Sequence, residues 1–330
     1  MKVFFFSLGL LTMTACAQVP QDIWIAPKDP FDGKLPDATD AMKSSAERIA
    51  KHVRVLAFDI GRRNVERPEG LERSLVYLTQ QLKEIGLDAK RQTYKVRGVE
   101  VANLEAEIKG AARADEIVIV GAHYDSVADS PAANDNGSGV AAVLDMARAL
   151  YDAKPDRTIR FVFFVNEEPP FFHSADMGSL VYAKRSKERG EKIVAMLSME
   201  TIGFYSDEAG SQKYPSSFDR FFPSKGNFVA IVGDVKSQAL VERVTTEFRN
   251  QAKFPSQAIS APAQVSGIGS SDQWSFWQCG YPAIMVTDTA MFRYPHYHTD
   301  HDTPDKLDYD RMSRVVGGMT DVVKKLANVE

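Results

Sequence analysis

The chain has 330 residues, 44% of them hydrophobic and 25% charged, the balance of a soluble globular protein with a full core. Its 40 basic and 44 acidic residues leave a net charge of −4. With no basic excess to neutralise phosphates, nucleic acid is excluded as the main partner.

Residues 1–17 read as an export signal peptide: Lys2, the apolar run VFFFSLGLLTM, then TACAQ. The run is too short for a permanent membrane span. Two exits are possible. Met13-Thr14-Ala15-Cys16 resembles a bacterial lipobox, with Met where Leu is usual, and would leave Cys16 lipidated at the mature N-terminus. Ala15-Cys16-Ala17 also fits an A-x-A site that would release a secreted protein. We favour the lipoprotein, periplasmic or at the outer membrane, with Cys16 as the sole membrane attachment. In either case Cys16 does not pair with Cys279, which the neighbouring aromatics mark as a buried small hydrophobe.

Residues 18–38 are rich in Pro and Asp and read as an irregular leader. Helices are predicted at about 39–57, from Ala41, Ile49, Val53 and Leu56, and at about 69–86, from Leu71, Leu75, Leu78, Leu82 and Ile85 before Gly86. Strands 89–96 and 99–108 flank Arg97-Gly98 as a hairpin. The pattern then alternates: strand 116–123, helix 138–153, strand 158–166, helix 178–190 and strand 193–200. Strand 227–234, helix 236–252, strand 282–288 and a helix near 310–328 complete it. Unbroken apolar strands alternating with helices predict a three-layer α/β/α sandwich around a largely parallel mixed sheet. Residues 39–330 read as one unit with a helical extension at 39–90. The polar, aromatic connection 203–226 is expected to wall the site.

Candidate ligands fall where the strands end. His123, in HYD, has Asp125 two residues on, placed to accept its second ring N–H as a ligating imidazole requires; a lone histidine there would be structural. Asp135, in NDNGSG, has the bland reading of a helix cap. Ser138 is available for that task, however. Gly137 and Gly139 would let backbone approach an ion, and each oxygen of Asp135 could serve one of two metals. Glu167-Glu168 follow an apolar strand, where a buried acid pair needs cations to stay ionised; Pro169-Pro170 ends the strand so that both can face one site. Glu200 closes another apolar strand, where an unpaired acid would be costly. His298 has His296 and His301 as rivals in a His-rich loop that could be polar surface.

Together these segments resemble the co-catalytic dinuclear zinc aminopeptidases of metallopeptidase clan MH, relatives of glutamate carboxypeptidase and glutaminyl cyclase. The likeness runs from about Asn103 to Leu307 through GAHYDS, NDNGSGVAAVLDMARAL, FVFFVNEE, MGSLVYAK, SMETIG, SSDQWSFWQCGYPAIMVTD and YHTDHDTPDKLD. It implies a zinc peptidase domain holding two Zn2+ ions. One would sit on His123 and Glu200, the other on Glu168 and His298, and Asp135 would bridge them. It further implies Glu167 as general base, Tyr297 as an oxyanion donor, and a cis bond between Asp135 and Asn136. Two departures bear on substrate: PPFFHSADMGS replaces a Gly-containing turn, bringing Phe171 and Phe172 beside the base, and Gln273 stands where His is common, so SDQWSF is not counted as catalytic.

The expected activity is removal of N-terminal residues from peptide substrates. Glutaminyl cyclase and carboxypeptidase activity on the same scaffold are the enzyme alternatives, and a non-catalytic binding protein is the third. No arginine stands in a recognisable carboxylate-clamp motif.

Overall fold

The computed structural model describes residues 22–31 and 34–329. The signal-peptide reading of residues 1–17, with Cys16, lies outside the described residues. In chain order the elements are β1 (Trp24–Ile25), α1 (Asp40–Arg54), α2 (Pro68–Ile85), β2 (Ala89–Val96), β3 (Val99–Ile108), β4 (Arg113–His123), α3 (Gly139–Leu150), β5 (Arg157–Phe164), α4 (Gly178–Glu188) and β6 (Lys192–Glu200). There follow β7 (Val229–Gly233), α5 (Gln238–Gln251), β8 (Ser256–Ser260), α6 (Gln273–Gln278), β9 (Ala283–Thr287) and α7 (Tyr309–Ala327).

The strands form one mixed sheet in the order β1-β8-β7-β9-β6-β4-β5-β3-β2. Its centre, β5-β4-β6-β9, is parallel, as is β7 with β8. The remaining junctions are antiparallel, so the parallel character belongs to the centre. Alternate residues of each central strand enter opposite cores. Val118, Val120, Phe161, Phe163 and Leu197 join one core, with Ile49 of α1, Leu78 of α2, Val143 of α3, Val244 of α5 and Val316 of α7. Ile117, Ile119, Val162, Phe164 and Met196 join the other, with Tyr182 of α4 and Phe276 of α6. Both faces are therefore covered, which gives the three layers. Cys279 is buried in the second core, as expected.

The five apolar positions read for α2 are all buried, and Gly86 ends it in a left-handed conformation (φ +103°), its N–H on the Leu82 carbonyl. In α1, Ile49 and Val53 are buried but Ala41 is exposed, because the first turn projects ahead of the packed stretch. The hairpin pairs Val96 with Val99 as anticipated. Missing from the sequence reading were β1, β8 and α6. β8 (SQAIS) has no unbroken apolar run, and β1 is two residues long within the leader. Asp29 fixes the leader there by accepting from the Ser256 backbone N–H and hydroxyl, both at 2.7 Å. Among the described residues no helix is long and apolar enough to cross a membrane.

His52 gives the helical layer a dependence on pH. It is buried on α1, with Nδ1 2.7 Å from the Tyr77 hydroxyl of α2. Burial lowers its pKa from 6.5 to about 4, against the opposing pull of Asp145. A depressed folded-state pKa means that the unfolded chain binds the proton more readily between those values. The associated stability is complete above pH 6.5 and is lost as pH falls to about 4. His52→Gln should therefore flatten the stability–pH curve in that window by about 3 kcal/mol. Parallel curves for the two proteins, from urea titrations at stepped pH, would refute this.

Candidate metal centre

Three neighbouring parallel strands deliver most of the site from their carboxyl ends. His123 is the last residue of β4 and Glu200 the last of β6; Glu167 and Glu168 follow β5. Asp135 arrives on the turn that opens α3 and is followed by a cis Asp135–Asn136 peptide, the geometry the resemblance implied. His298 comes from the loop between β9 and α7. Non-glycine residues with positive φ flank these side chains: Ala132 (+57°), Asn166 (+59°), Thr201 (+38°) and His298 itself (+59°). Such backbone strain clusters at functional sites.

The side chains converge as two trios sharing one residue. His123 Nε2 lies 3.3 Å from Asp135 Oδ1 and 3.2 Å from Glu200 Oε2. His298 Nε2 lies 3.0 Å from Asp135 Oδ2 and 3.1 Å from Glu168 Oε2. Each oxygen of Asp135 thus faces a different trio. N and O ligands of a tetrahedral zinc, each at 2.0–2.2 Å from the ion, stand roughly 3.4 Å from one another. The observed spacing fits that donor set. Glu167 Oε2 is 3.8 Å from His123 Nε2; it stands outside the two trios that share Asp135 and forms a third close group with His123 and Glu168.

Burial works against charge here. Glu167 is pushed well above the ordinary carboxylate range, first by burial and then by Glu168 and Glu200. Glu168 rises to about 7 by burial and the charge of Asp135. Asp135 is held low despite burial, because both imidazoles lie against its oxygens. His298 rises to about 10, since Asp135 and Glu168 outweigh its burial. A pocket with more carboxylates than imidazoles keeps all its acids ionised only when cations enter it.

Several supports differ from the expected ones. Asp125 Oδ1 is 3.5 Å from His123 Nδ1, too long for a good hydrogen bond. Its oxygens instead accept from the backbone N–H groups of Glu167 and Glu168 at 3.1 and 3.2 Å, fixing the acid pair. Ser138 does not cap α3: its hydroxyl donates to the Asn134 carbonyl. Asn136 Oδ1 accepts from the Gly139 N–H in its place, and Asn136 Nδ2 donates to Glu200 Oε2 at 3.2 Å. Nor do the glycines make room for an ion. A Cβ on Gly139 would fall 2.1 Å from the Met199 carbonyl oxygen, so the glycine permits close packing of α3 on β6. Gly139→Ala should cost roughly 1–3 kcal/mol or more, because backbone cannot yield as a side chain does. A melting temperature equal to the parent's would contradict it.

The segment SDQWSF, set aside in the sequence, does serve the site. Ser271 donates to Glu200 Oε2 at 2.6 Å. Asp272 is fully buried nearby, lifted to about 7 by burial, with both carboxylate oxygens lacking hydrogen-bond partners. Two further acids brace the turn. Asp302 accepts from the backbone N–H groups of Asn134 and Asp135 and from the Tyr294 hydroxyl. Asp288 accepts from Asn134 Nδ2 at 2.9 Å. Arg63, fully buried, donates to the carbonyls of Leu56, Gly61, Tyr124, Pro131 and Ala132. It clamps together the segments leading from His123 and towards Asp135. Of the rival histidines, His301 is exposed and His296 packs against Tyr294.

An apolar cleft of about 840 Å3, counting space open to solvent, adjoins Glu200 and Tyr297. Tyr214, Phe218 and Phe222 of the 203–226 connection wall it, as expected, opposite Ile268 and Met285. Tyr297 stacks on the His298 ring with centroids 3.9 Å apart. Phe172 does not line the site; it stacks on His173, which in turn stacks on Trp274. Phe171 is buried and lines a separate cleft with Glu168.

Comparison with known proteins matches the chain to the model of peptidase family M28 over residues 103–323. The chain belongs to peptidase family M28. This M28 chain is 35% identical over 285 residues to a protein of Escherichia coli, YfbL, covering 84% of the chain and 87% of that protein. It is 27% identical over 286 residues to a probable leucine aminopeptidase of Trichophyton verrucosum, covering 81% and 69%. In fold it is similar to a zinc aminopeptidase from Bacillus subtilis (TM-score 0.68, 17% identity, 89% and 96% covered). It is also similar to a glutaminyl cyclase from Fimbriiglobus ruber (TM-score 0.62, 21% identity, 91% and 99% covered). The α/β/α architecture read from the sequence is the one these folds share.

Proposed function

We propose that the chain is a zinc-dependent aminopeptidase, removing N-terminal residues from peptides with two metal ions and Glu167 as general base. The observation that carries this reading is the division of Asp135 between two complete trios, His123–Asp135–Glu200 and His298–Asp135–Glu168. Zinc held there would polarise the scissile carbonyl and acidify water to a pKa of about 7. The protein's own groups do the rest. Glu167 stands beside both trios, fixed through its backbone by Asp125, and takes the proton of the attacking water. It then returns that proton to the departing amine. Tyr297, stacked on His298 at the mouth of the apolar cleft, donates its O–H to the developing oxyanion. The cleft receives the side chain of the residue removed, and the surplus of buried carboxylate favours a substrate with a free ammonium group.

The likeness to leucine aminopeptidases and to a zinc aminopeptidase supports this reading. The fold shared with a glutaminyl cyclase keeps that activity as the second reading; the completeness of the His123 trio favours the peptidase. Residues 1–17 support export, which places the peptide substrates outside the cytoplasm, with Cys16 as the sole tie to a membrane. The test is zinc counting on purified protein, with hydrolysis of aminoacyl chromogens and of the same peptides carrying blocked amines. Two ions and a strict need for a free amine are expected. One tightly held ion with cyclisation of N-terminal glutamine would select the second reading.

A further inference from the structure

A second cleft, of about 500 Å3, opens on Glu168 and shares no lining residue with the apolar one. Its walls include Asn64, Glu66, Arg97, Asn166, Pro170 and Phe171. Arg97 occupies the tip of the β2–β3 hairpin with φ +49°, followed by Gly98 at +84°. Two successive left-handed residues suit Asn-Gly or Gly-Gly, and a long side chain at the first is disfavoured. The arginine is not exposed idly. Its guanidinium lies over the Phe171 ring, 5.0 Å from the centroid, and no carboxylate among the described residues pairs with it. Phe171 comes from the PPFF run that sets this chain apart after its acid pair. A stacked, unpaired guanidinium keeps its forked donors free for a planar anion.

A second donor-bearing residue borders the same space. Asn166, at 1% exposure, lines the cleft, and its Nδ2 has no hydrogen-bond acceptor. The neighbouring Tyr94 hydroxyl donates to the Asp176 carbonyl instead. Of the acids of the inner wall, Asp125 accepts from two backbone N–H groups, and Glu168 turns Oε2 to His298 while its Oε1 has no hydrogen-bond partner. Glu66 stands exposed at the lip. The donors left over are a cation and a buried amide, beside one of the two metal trios. With the departing residue's side chain in the apolar cleft, the remainder of the substrate leaves past Glu168.

We propose that this second cleft is a carboxylate-binding subsite for the leaving part of the substrate, with Arg97 as its cation and Asn166 as its neutral donor. The inference rests on the peptidase reading above and adds a substrate class to it: dipeptides with a free C-terminus, or peptides with an acidic second side chain. Four substrates separate those sources on the zinc-loaded full chain: leucyl-alanine, leucyl-alaninamide, leucyl-aspartic diamide, and the same diamide with its side-chain amide exchanged for the free acid. A preference of about tenfold or more in kcat/KM for leucyl-alanine over its amide identifies the C-terminal carboxylate. The same preference for the free aspartyl acid over its diamide identifies the side chain. Arg97→Asn, chosen because asparagine is at ease in this turn, should bring the preference to about one. Equal rates on all the substrates, or an unchanged preference in Arg97→Asn, would overturn the subsite. Failure to cleave any of them tells against the peptidase reading instead. In that event calorimetry of leucyl-alanine and leucyl-alaninamide on the zinc-loaded chain makes the same comparison without turnover, and equal affinities overturn the subsite.

Discussion

Glu167→Gln should lower turnover about 10²–10⁴-fold while both metal ions remain bound. The two trios that share Asp135 do not include this side chain, so under that assignment, rather than one to the His123–Glu167–Glu168 group, its amide replacement leaves every ligand in place. What is lost is a proton acceptor. Gln keeps the volume and the hydrogen-bonding reach of Glu but cannot take a proton from water or return it to an amine. Burial and the neighbouring acids lift the proton affinity of Glu167 well above that of a surface carboxylate, and bound cations would draw it back towards neutrality, where a base works best. KM should move little, since the ground state is held elsewhere. Metal content measured beside kcat makes the test decisive: retained activity removes Glu167 from its assigned role, and lost zinc makes it a ligand.

Asp135→Ala should have a wider effect, depriving both trios at once. Removing a partner outside the ligand set typically costs 10–100-fold in metal affinity, and this residue supplies an oxygen to each side. Metal content should drop from two ions to one or none, with activity below that of Glu167→Gln. Asp135→Asn, which retains one good acceptor oxygen, should fall between them. A variant lacking the carboxylate yet carrying two ions at parental affinity would show that the acid does not bridge.

Four of the candidate site residues were legible because each ends a buried apolar run, where an acid or imidazole has no structural excuse; Asp135 and His298 lie on a turn and a loop, and the resemblance alone chose His298 over its rivals. His123, Glu167, Glu168 and Glu200 all stand out in that way, and the central strands that carry them read clearly for the same reason. The braces were not legible. Arg63 lies in GRRNVERP, a stretch with the look of solvated surface, and its partners are carbonyls that no side-chain pattern announces. Asp302 acts on Asn134 from 168 residues away. The Asn136 cap and the tight contact at Gly139 depend on backbone geometry that a string of residue types does not contain. Ser138 was the natural choice for a cap by residue preference, and tertiary packing assigned it another partner. Arg97 was invisible as a binding group for a similar reason: a hairpin tip reads as a turn, and only the fold lays it over Phe171.

Arg63 lies forty residues upstream of the segment matched to the family, yet its guanidinium holds the strand-end and turn that present His123 and Asp135. The working unit is therefore longer than the stretch that the family model delimits. A fragment trimmed to the matched boundaries would lose α1, α2 and this buried cation together. Expression boundaries for enzymes of this kind are better drawn from where the clamp begins than from where the family match starts.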